Sequence, residues 1–404
     1  MVLDRMLGWA ALGLILALAC SGAIRQLYTN NETTVVVPVS QRASSINEEC
    51  VAAAALARVL PTTLSNEATA FLAARADAPR SPPISALPQA EGAAFTRGIL
   101  AAFCGPSAER HREALVASDS ETTIAGVPVV RSTPKLGVAL DGTPSAAGPT
   151  AMDETAVILY IHGGAYIAGS ALGMAHTYAP LSAATGIKVV SVEYRLAPEH
   201  PFPAGLDDVT AVYRALLESH APSRIAVAGD SAGGGLAAAL LLRAASDGLP
   251  QPGAAVLVSP WTVLNSSRAD THATLKCVDP LISVDTLTTA GKWYASGSDL
   301  GVDDPLVSPA FGDFSAASAA ASEAGRKPPA VLILVGTREL LLSDSAILAR
   351  QMRRGGLEVE LSVYDGMWHV WATGAQGTLG LPEAVEGVQE AAAFILKHLG
   401  PPPS

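Results

Sequence analysis

Arg224-Ile225-Ala226-Val227-Ala228-Gly229-Asp230-Ser231-Ala232-Gly233-Gly234 decides the fold of this chain. Its first five residues read as a short buried strand, and the Ala/Leu stretch from Gly234 to Ser246 reads as a helix. Between them stands G-x-S-x-G. A turn that reverses strand into helix so sharply is strained, so small residues must flank the serine two positions away. The turn lifts the Ser231 hydroxyl above the sheet and sets it near a helix N-terminus. A serine after a glycine turn also serves as an ordinary N-cap. The strand–turn–helix context favours the nucleophile.

Outward from this elbow the pattern repeats. Ala156–Ile161, Ile187–Val192, Ala254–Val258, Val331–Val335 and Val359–Val363 are apolar runs bounded by Gly, Pro and Ser. Helical segments lie between or after them at Leu206–Ser219, Asp344–Arg354 and Ala384–His398. Strands alternating with helices predict an α/β fold, with a mostly parallel sheet covered by helices on both faces. Upstream, Asn47 to Ser118 is Ala-rich with helical periodicity, clearest at Cys50–Leu60 and Glu91–Phe103. Val127–Val130 predicts a short strand, and Leu136–Thr155 a loop. The expected division is an N-terminal hydrophobic segment over residues 1–25, a helical N-terminal region over 26–124, and a catalytic α/β domain over 125–400.

Sheets of this kind carry their sites at the carboxyl ends of strands. After Ala156–Ile161 comes His162-Gly163-Gly164-Ala165-Tyr166. Glycines let a backbone approach a substrate closely, and backbone N–H groups stabilise an oxyanion. Gly163, Gly164 and Ala232 are the expected donors, with His162 organising the loop. After Val359–Val363 comes Tyr364-Asp365-Gly366-Met367-Trp368-His369. A serine hydroxyl needs a base, and His369 follows the last strand, in the chain order Ser before His. After Val331–Val335 come Glu339 and, farther on, Asp344. A strand-end position points better at the site, so Glu339 is the expected acid behind His369, and Asp344 the second choice. Trp368 and Met367 fit either an acyl-binding wall or core packing.

These residues together resemble the hormone-sensitive-lipase-like family of the α/β-hydrolase fold. His162-Gly163-Gly164-Ala165-Tyr166 is similar to its HGGG-type oxyanion motif, with Ala165 in place of the third glycine. Gly229-Asp230-Ser231-Ala232-Gly233 matches its GDSAG elbow. Tyr194-Arg195-Leu196-Ala197-Pro198-Glu199 matches its YRLAPE segment, and Asp304-Pro305-Leu306-Val307-Ser308-Pro309 and Tyr364–His369 also look like family segments. The family's usual acid motif is Asp-Pro-Leu, and Glu339-Leu340-Leu341 occupies its place. The resemblance spans roughly residues 125–400. It implies a helical cap, drawn from the region before residue 125 and part of 265–300. It implies hydrolysis of carboxylic esters, often of short or medium acyl chains, through a Ser-His-acid triad and an acyl-enzyme. It implies no metal or organic cofactor. The alternative on the same fold is a small-molecule receptor, since gibberellin-receptor-like relatives keep the elbow serine and lose the histidine.

Composition narrows the classes further. The 404 residues are 49% hydrophobic and 16% charged, with mean hydropathy +0.32, so a disordered chain is excluded. The net charge of −11 repels phosphate and argues against nucleic-acid binding. His162 and His176 stand in no zinc-ligand spacing, which argues against a metallohydrolase. Cys20, Cys50, Cys104 and Cys277 show no C-x-x-C pair, and their spacing favours free, mostly buried thiols over bridges. Leu7 to Ile24 is an 18-residue run without charge, between Arg5 and Arg25. It is long enough for a signal anchor, and its core also fits a secretory segment ending at Ala17-Leu18-Ala19 or a lipoprotein signal before Cys20. It favours membrane attachment or export over a cytoplasmic chain. Asn31-Glu32-Thr33 is a glycosylation sequon in a eukaryotic secretory context. Oligomeric state is left open.

Overall fold

The computed structural model describes residues 60–76, 83–323, 325–373 and 381–402. The Leu7–Ile24 run lies outside them, as does the Cys50–Leu60 segment except Leu60. Helices α1 (Asn66–Ala76) and α2 (Gln89–Leu115) precede strands β1 (Val116–Ile124), β2 (Val127–Pro134) and β3 (Val157–Ile161). Then come α3 (Ala175–Thr185), β4 (Lys188–Val192), α4 (Ala204–Leu216), β5 (Ile225–Asp230), α5 (Ala232–Ser246) and β6 (Ala254–Val258). The remainder is α6 (Asp270–Thr274), α7 (Val284–Ala295), α8 (Ser315–Glu323), β7 (Ala330–Gly336), α9 (Leu342–Arg354), β8 (Glu358–Tyr364) and α10 (Pro382–Leu399).

Eight strands form one sheet in the order β1-β2-β4-β3-β5-β6-β7-β8. β1 and β2 are antiparallel to their neighbours, and β3 to β8 run parallel. The central strands carry branched apolar residues on both faces because both faces are covered. Successive side chains point to opposite sides. Leu159 and Ile161 of β3 and Val227 of β5 join a core with Leu206 and Val209 of α4 and Leu236 and Leu240 of α5. Ile158 and Tyr160 join the other core with Tyr178 of α3 and Phe394 and Ile395 of α10. Each such side chain contributes about 1.5–3 kcal/mol by leaving water.

Six of the expected strands appear within one or two residues of their apolar runs, and the short strand at Val127 extends to Pro134. The sheet begins earlier than the boundary expected at residue 125. β1 is exposed along most of its length and reads Ser118-Asp119-Ser120-Glu121-Thr122-Thr123 in its middle, so it carries no apolar signal. It is an edge strand, fixed by pairing with β2 rather than by burial. The segment clearest at Glu91–Phe103 is part of a longer helix that runs through Pro106 to Leu115, within the region expected to be helical to Ser118. The two segments assigned by resemblance to a cap meet. Ser85 N–H donates to Asp285 Oδ2 at 3.3 Å, and Arg75 of α1 donates to the Pro280 carbonyl at 2.9 and 3.2 Å.

Cys104 is free and buried, as expected, but Cys277 is disulfide-bonded. Sequence spacing says nothing about distance in the fold, which is what permits a bridge. Among the described residues, no helix is long and apolar enough to cross a membrane.

Candidate active site

β5 ends at Asp230 and α5 begins at Ala232, so the whole turn is one residue, Ser231. Its backbone stands at φ 53°, ψ −122°, a conformation that non-glycine residues rarely hold. Surrounding bonds impose it. Ser231 N–H donates to the Val258 carbonyl at 2.9 Å, and its own carbonyl accepts from Trp261 N–H at 2.9 Å and Gly235 N–H at 3.0 Å. Gly233 has no room for a side chain: a Cβ there would overlap the Ile161 carbonyl and lie 2.6 Å from the His162 carbonyl.

The elbow brings the expected residues together. His369 Nε2 lies 3.0 Å from Ser231 Oγ, and His369 Nδ1 lies 3.0 Å from Glu339 Oε2. Since a carboxylate only accepts, Nδ1 carries the ring proton and Nε2 accepts from the serine. Ser231 is 8% exposed and Glu339 fully buried. Burial pushes the imidazole of His369 towards its neutral form. The hydrogen bond and charge of Glu339, with Asp279 and Asp230 adding theirs, more than reverse this, and its pKa stands above the usual 6.5.

Glu339 is itself held on its far side. Oε1 accepts from Gly336 N–H at 2.6 Å and from Ser259 Oγ–H at 2.9 Å. Ser259 Oγ accepts in turn from Val370 N–H at 3.0 Å, which ties the loops after β6, β7 and β8 into one network. Ser259 was not anticipated from sequence, although it directly follows an apolar run and so obeyed the rule that found the others.

Asp344 sits elsewhere. Its Oδ1 accepts from Thr262 and Val263 N–H at 3.0 and 2.8 Å, and its Oδ2 lies 2.9 Å from His272 Nε2. It braces the chain after β6 and does not touch His369. Met367 and Trp368 are buried, and the Trp368 ring packs on Phe71 of α1 at 4.1 Å between centroids. They belong to the core reading.

Of the three amides expected to receive an oxyanion, one already has a partner. Gly163 N–H donates to Asp230 Oδ1 at 3.1 Å, so this amide is engaged. The Asp230 carboxylate is fully buried beneath the loop, accepts also from Tyr160 Oη–H at 2.9 Å, and is pushed up to about 6 by burial. The amide therefore seats the loop. The N–H groups of Gly164, Ala165 and Ala232 have no partner among the described residues. Gly164 stands at φ +123°, and a Cβ on it would overlap the Ala168 carbonyl. A Cβ built on Gly163 would lie 3.1 Å from Ser231 Cβ, so this loop runs against the elbow.

His162 organises the loop. Its Nδ1–H donates to the Gly163 carbonyl at 2.7 Å, and its ring stacks on Tyr194 with centroids 4.3 Å apart. Burial lowers its pKa to about 4, so it is neutral near pH 7. In the same YRLAPE segment, Arg195 grips Asp208 and Glu199 grips Arg97.

A family model described as alpha/beta hydrolase fold matches residues 158–373. An acetyl-hydrolase of Streptomyces hygroscopicus is 36% identical over 251 residues, which is 62% of this chain and 78% of that protein. An esterase of Acinetobacter venetianus is 32% identical over 241 residues, 59% of this chain and 74% of that protein. Among solved structures, a hormone-sensitive lipase from a metagenome library superposes with a TM-score of 0.61 at 34% identity, covering 75% of this chain and 91% of that one. An esterase from the bacterial hormone-sensitive lipase family superposes with a TM-score of 0.65 at 29% identity, covering 83% and 99%.

Proposed function

The chain belongs to the hormone-sensitive-lipase-like family of α/β hydrolases and hydrolyses carboxylic esters, and from that premise we propose that Ser231, His369 and Glu339 carry the reaction through an acyl-enzyme. The observation that carries this reading is the unbroken relay from Ser231 Oγ through His369 to Glu339, with both links at 3.0 Å.

Ser231 Oγ attacks the ester carbonyl as His369 Nε2 takes its proton. Glu339 keeps the ring in the tautomer that leaves Nε2 free, and stabilises the imidazolium that forms. The carbonyl oxygen becomes an anion, received by the N–H groups of Gly164, Ala165 and Ala232. Ala232 opens a 15-residue helix, whose positive end favours that charge. His369 then returns the proton to the departing alcohol, leaving Ser231 acylated. A water deprotonated by Nε2 attacks the acyl carbon, and collapse of the second tetrahedral intermediate releases the acid and restores Ser231.

Short acyl groups are the favoured substrates, a reading that the acetyl-hydrolase relative supports. The receptor alternative needs a site without its histidine, whereas His369 is present and oriented.

The test is Ser231→Ala assayed on p-nitrophenyl acetate, butyrate and octanoate, with a fluorophosphonate label. The wild type labels at one serine and turns over the shorter esters faster. The variant neither labels nor turns over, losing a factor of at least about 10³ in kcat. Retained turnover in Ser231→Ala sinks the assignment.

A further inference from the structure

Asp279 lies between α6 and α7, outside every motif named above. Its carboxylate is 1% exposed and holds three backbone N–H groups. Oδ1 accepts from Leu281 at 2.8 Å and Ile282 at 3.1 Å, and Oδ2 accepts from Leu340 at 2.9 Å. The first two bonds close its own turn. The third reaches 61 residues along the chain to the peptide that directly follows Glu339. The same turn is held from its other side by Arg75, through the Pro280 carbonyl.

All three partners are donors, and they favour the ionised carboxylate against the burial that pushes its pKa up. Leu340 stands where the family's Asp-Pro-Leu pattern has proline. Proline has no N–H. The departure at this position thus creates a donor, and Asp279 is the group that uses it.

We propose that Asp279 is a positioning residue for ester hydrolysis, fixing the Glu339–Leu340 peptide and setting a second buried negative charge against the loop that carries Glu339. The inference rests on the Ser231–His369–Glu339 reading. Acylation turns His369 into a cation. The groups that face it are Ser231 and Glu339 in direct contact, and the charges of Asp279 and Asp230 at longer range. A buried anion near that cation lowers the barrier and raises the pKa of the ring. A Glu339 peptide held from the loop before α7 also keeps its carboxylate aimed at Nδ1 as substrate enters.

The experiment compares wild type, Asp279→Asn, Leu340→Pro and the double variant on p-nitrophenyl acetate from about pH 5 to 9, with active-site titration and thermal unfolding. Asp279→Asn removes the charge. Its kcat falls about tenfold or more with KM within about twofold, and the acid limb of kcat/KM moves down by about half a pH unit or more. Leu340→Pro removes the donor and keeps the charge, so kcat falls while the limb stays. The double variant loses less than the product of the two single losses, because both break one contact. An acid limb at the wild-type position in Asp279→Asn overturns the proposal, since a merely structural residue would lose activity without moving it. If Asp279→Asn does not fold, Leu340→Pro decides, and a wild-type kcat there overturns the proposal. Ser231→Ala in parallel separates the two readings. Activity in that variant defeats the triad, whereas its silence beside an unshifted Asp279→Asn defeats only this inference.

Discussion

The proposed acid is the residue at which the chain departs from its family's pattern, and its contacts explain why glutamate can serve. Glutamate is one methylene longer than aspartate. Here that carboxylate bridges Gly336 N–H and Ser259 Oγ–H on one oxygen and His369 on the other. The consequence is a pH signature. His369 acts as base only when neutral, and its pKa is raised by Glu339. Activity therefore falls as pH drops through a value above 6.5. Glu339→Gln removes the charge, so its limb shifts to lower pH and kcat falls by roughly 10²–10⁴. Asp344→Asn leaves the limb in place, because that carboxylate serves His272 and the Thr262–Val263 backbone. pH profiles of kcat/KM for both variants check this, and a limb that moves only in Asp344→Asn reverses the assignment. At this scale the sequence was most legible for Ser231, His369 and Glu339, because each follows an apolar strand. A motif shows which amides exist, whereas the partner of each depends on the fold, as the Gly163–Asp230 bond shows. Asp279 left no signal, since its partner lies 61 residues away.

The elbow works as an element only if β3, β5 and α5 approach without side chains between them. Gly233 is where that approach is closest. In Gly233→Ala the new methyl meets the backbone carbonyls of Ile161 and His162, which cannot rotate away. Either α5 tilts or β3 yields, and the His162–Tyr166 loop moves from Ser231. The expected outcome is a loss of several kcal/mol in thermal unfolding, with fluorophosphonate labelling slowed in whatever protein folds. Wild-type labelling at unchanged stability contradicts the close approach. Element types were legible from the alternation of apolar runs, since branched residues on both faces of a short strand admit few other readings. β1 was not. Its exposed polar residues match a loop, and only its register with β2 makes it a strand. Helix α2 keeps Pro106 in its interior, where neighbouring packing sustains it.

At the scale of the whole molecule, the distinctive feature is the number of histidines kept out of water. His111, His162 and His176 are buried, and burial lowers them to about 4, 4 and 3. Neither ring nitrogen of His176 has a hydrogen-bond partner among the described residues. Its folded pKa lies below the unfolded value of about 6.5, so the unfolded chain binds a proton that the folded chain refuses. Its contribution to stability is therefore lost as pH falls from about 6.5 towards 3. Buried Asp230, raised to about 6, works in the opposite direction, so the informative quantity is a difference. Relative to wild type, His176→Leu gains about 2 kcal/mol between pH 7.5 and 5. Denaturant unfolding of both proteins at the two pH values measures it, and a pH-independent difference contradicts it. The mostly parallel, doubly covered sheet was readable from the alternation of strands and helices, whereas the bridge at Cys277 was not, because spacing along a chain does not report proximity.

One residue sets function and folding against each other. The backbone of Ser231 sits where an L-amino acid is uncomfortable and glycine is at ease. Ser231→Gly should thus be the hardier protein, by about 1 kcal/mol, and chemically inert; a melting temperature below wild type would contradict this. Drift towards robustness alone would erase the hydroxyl, so its retention is a conformational cost that the proposed chemistry rewards.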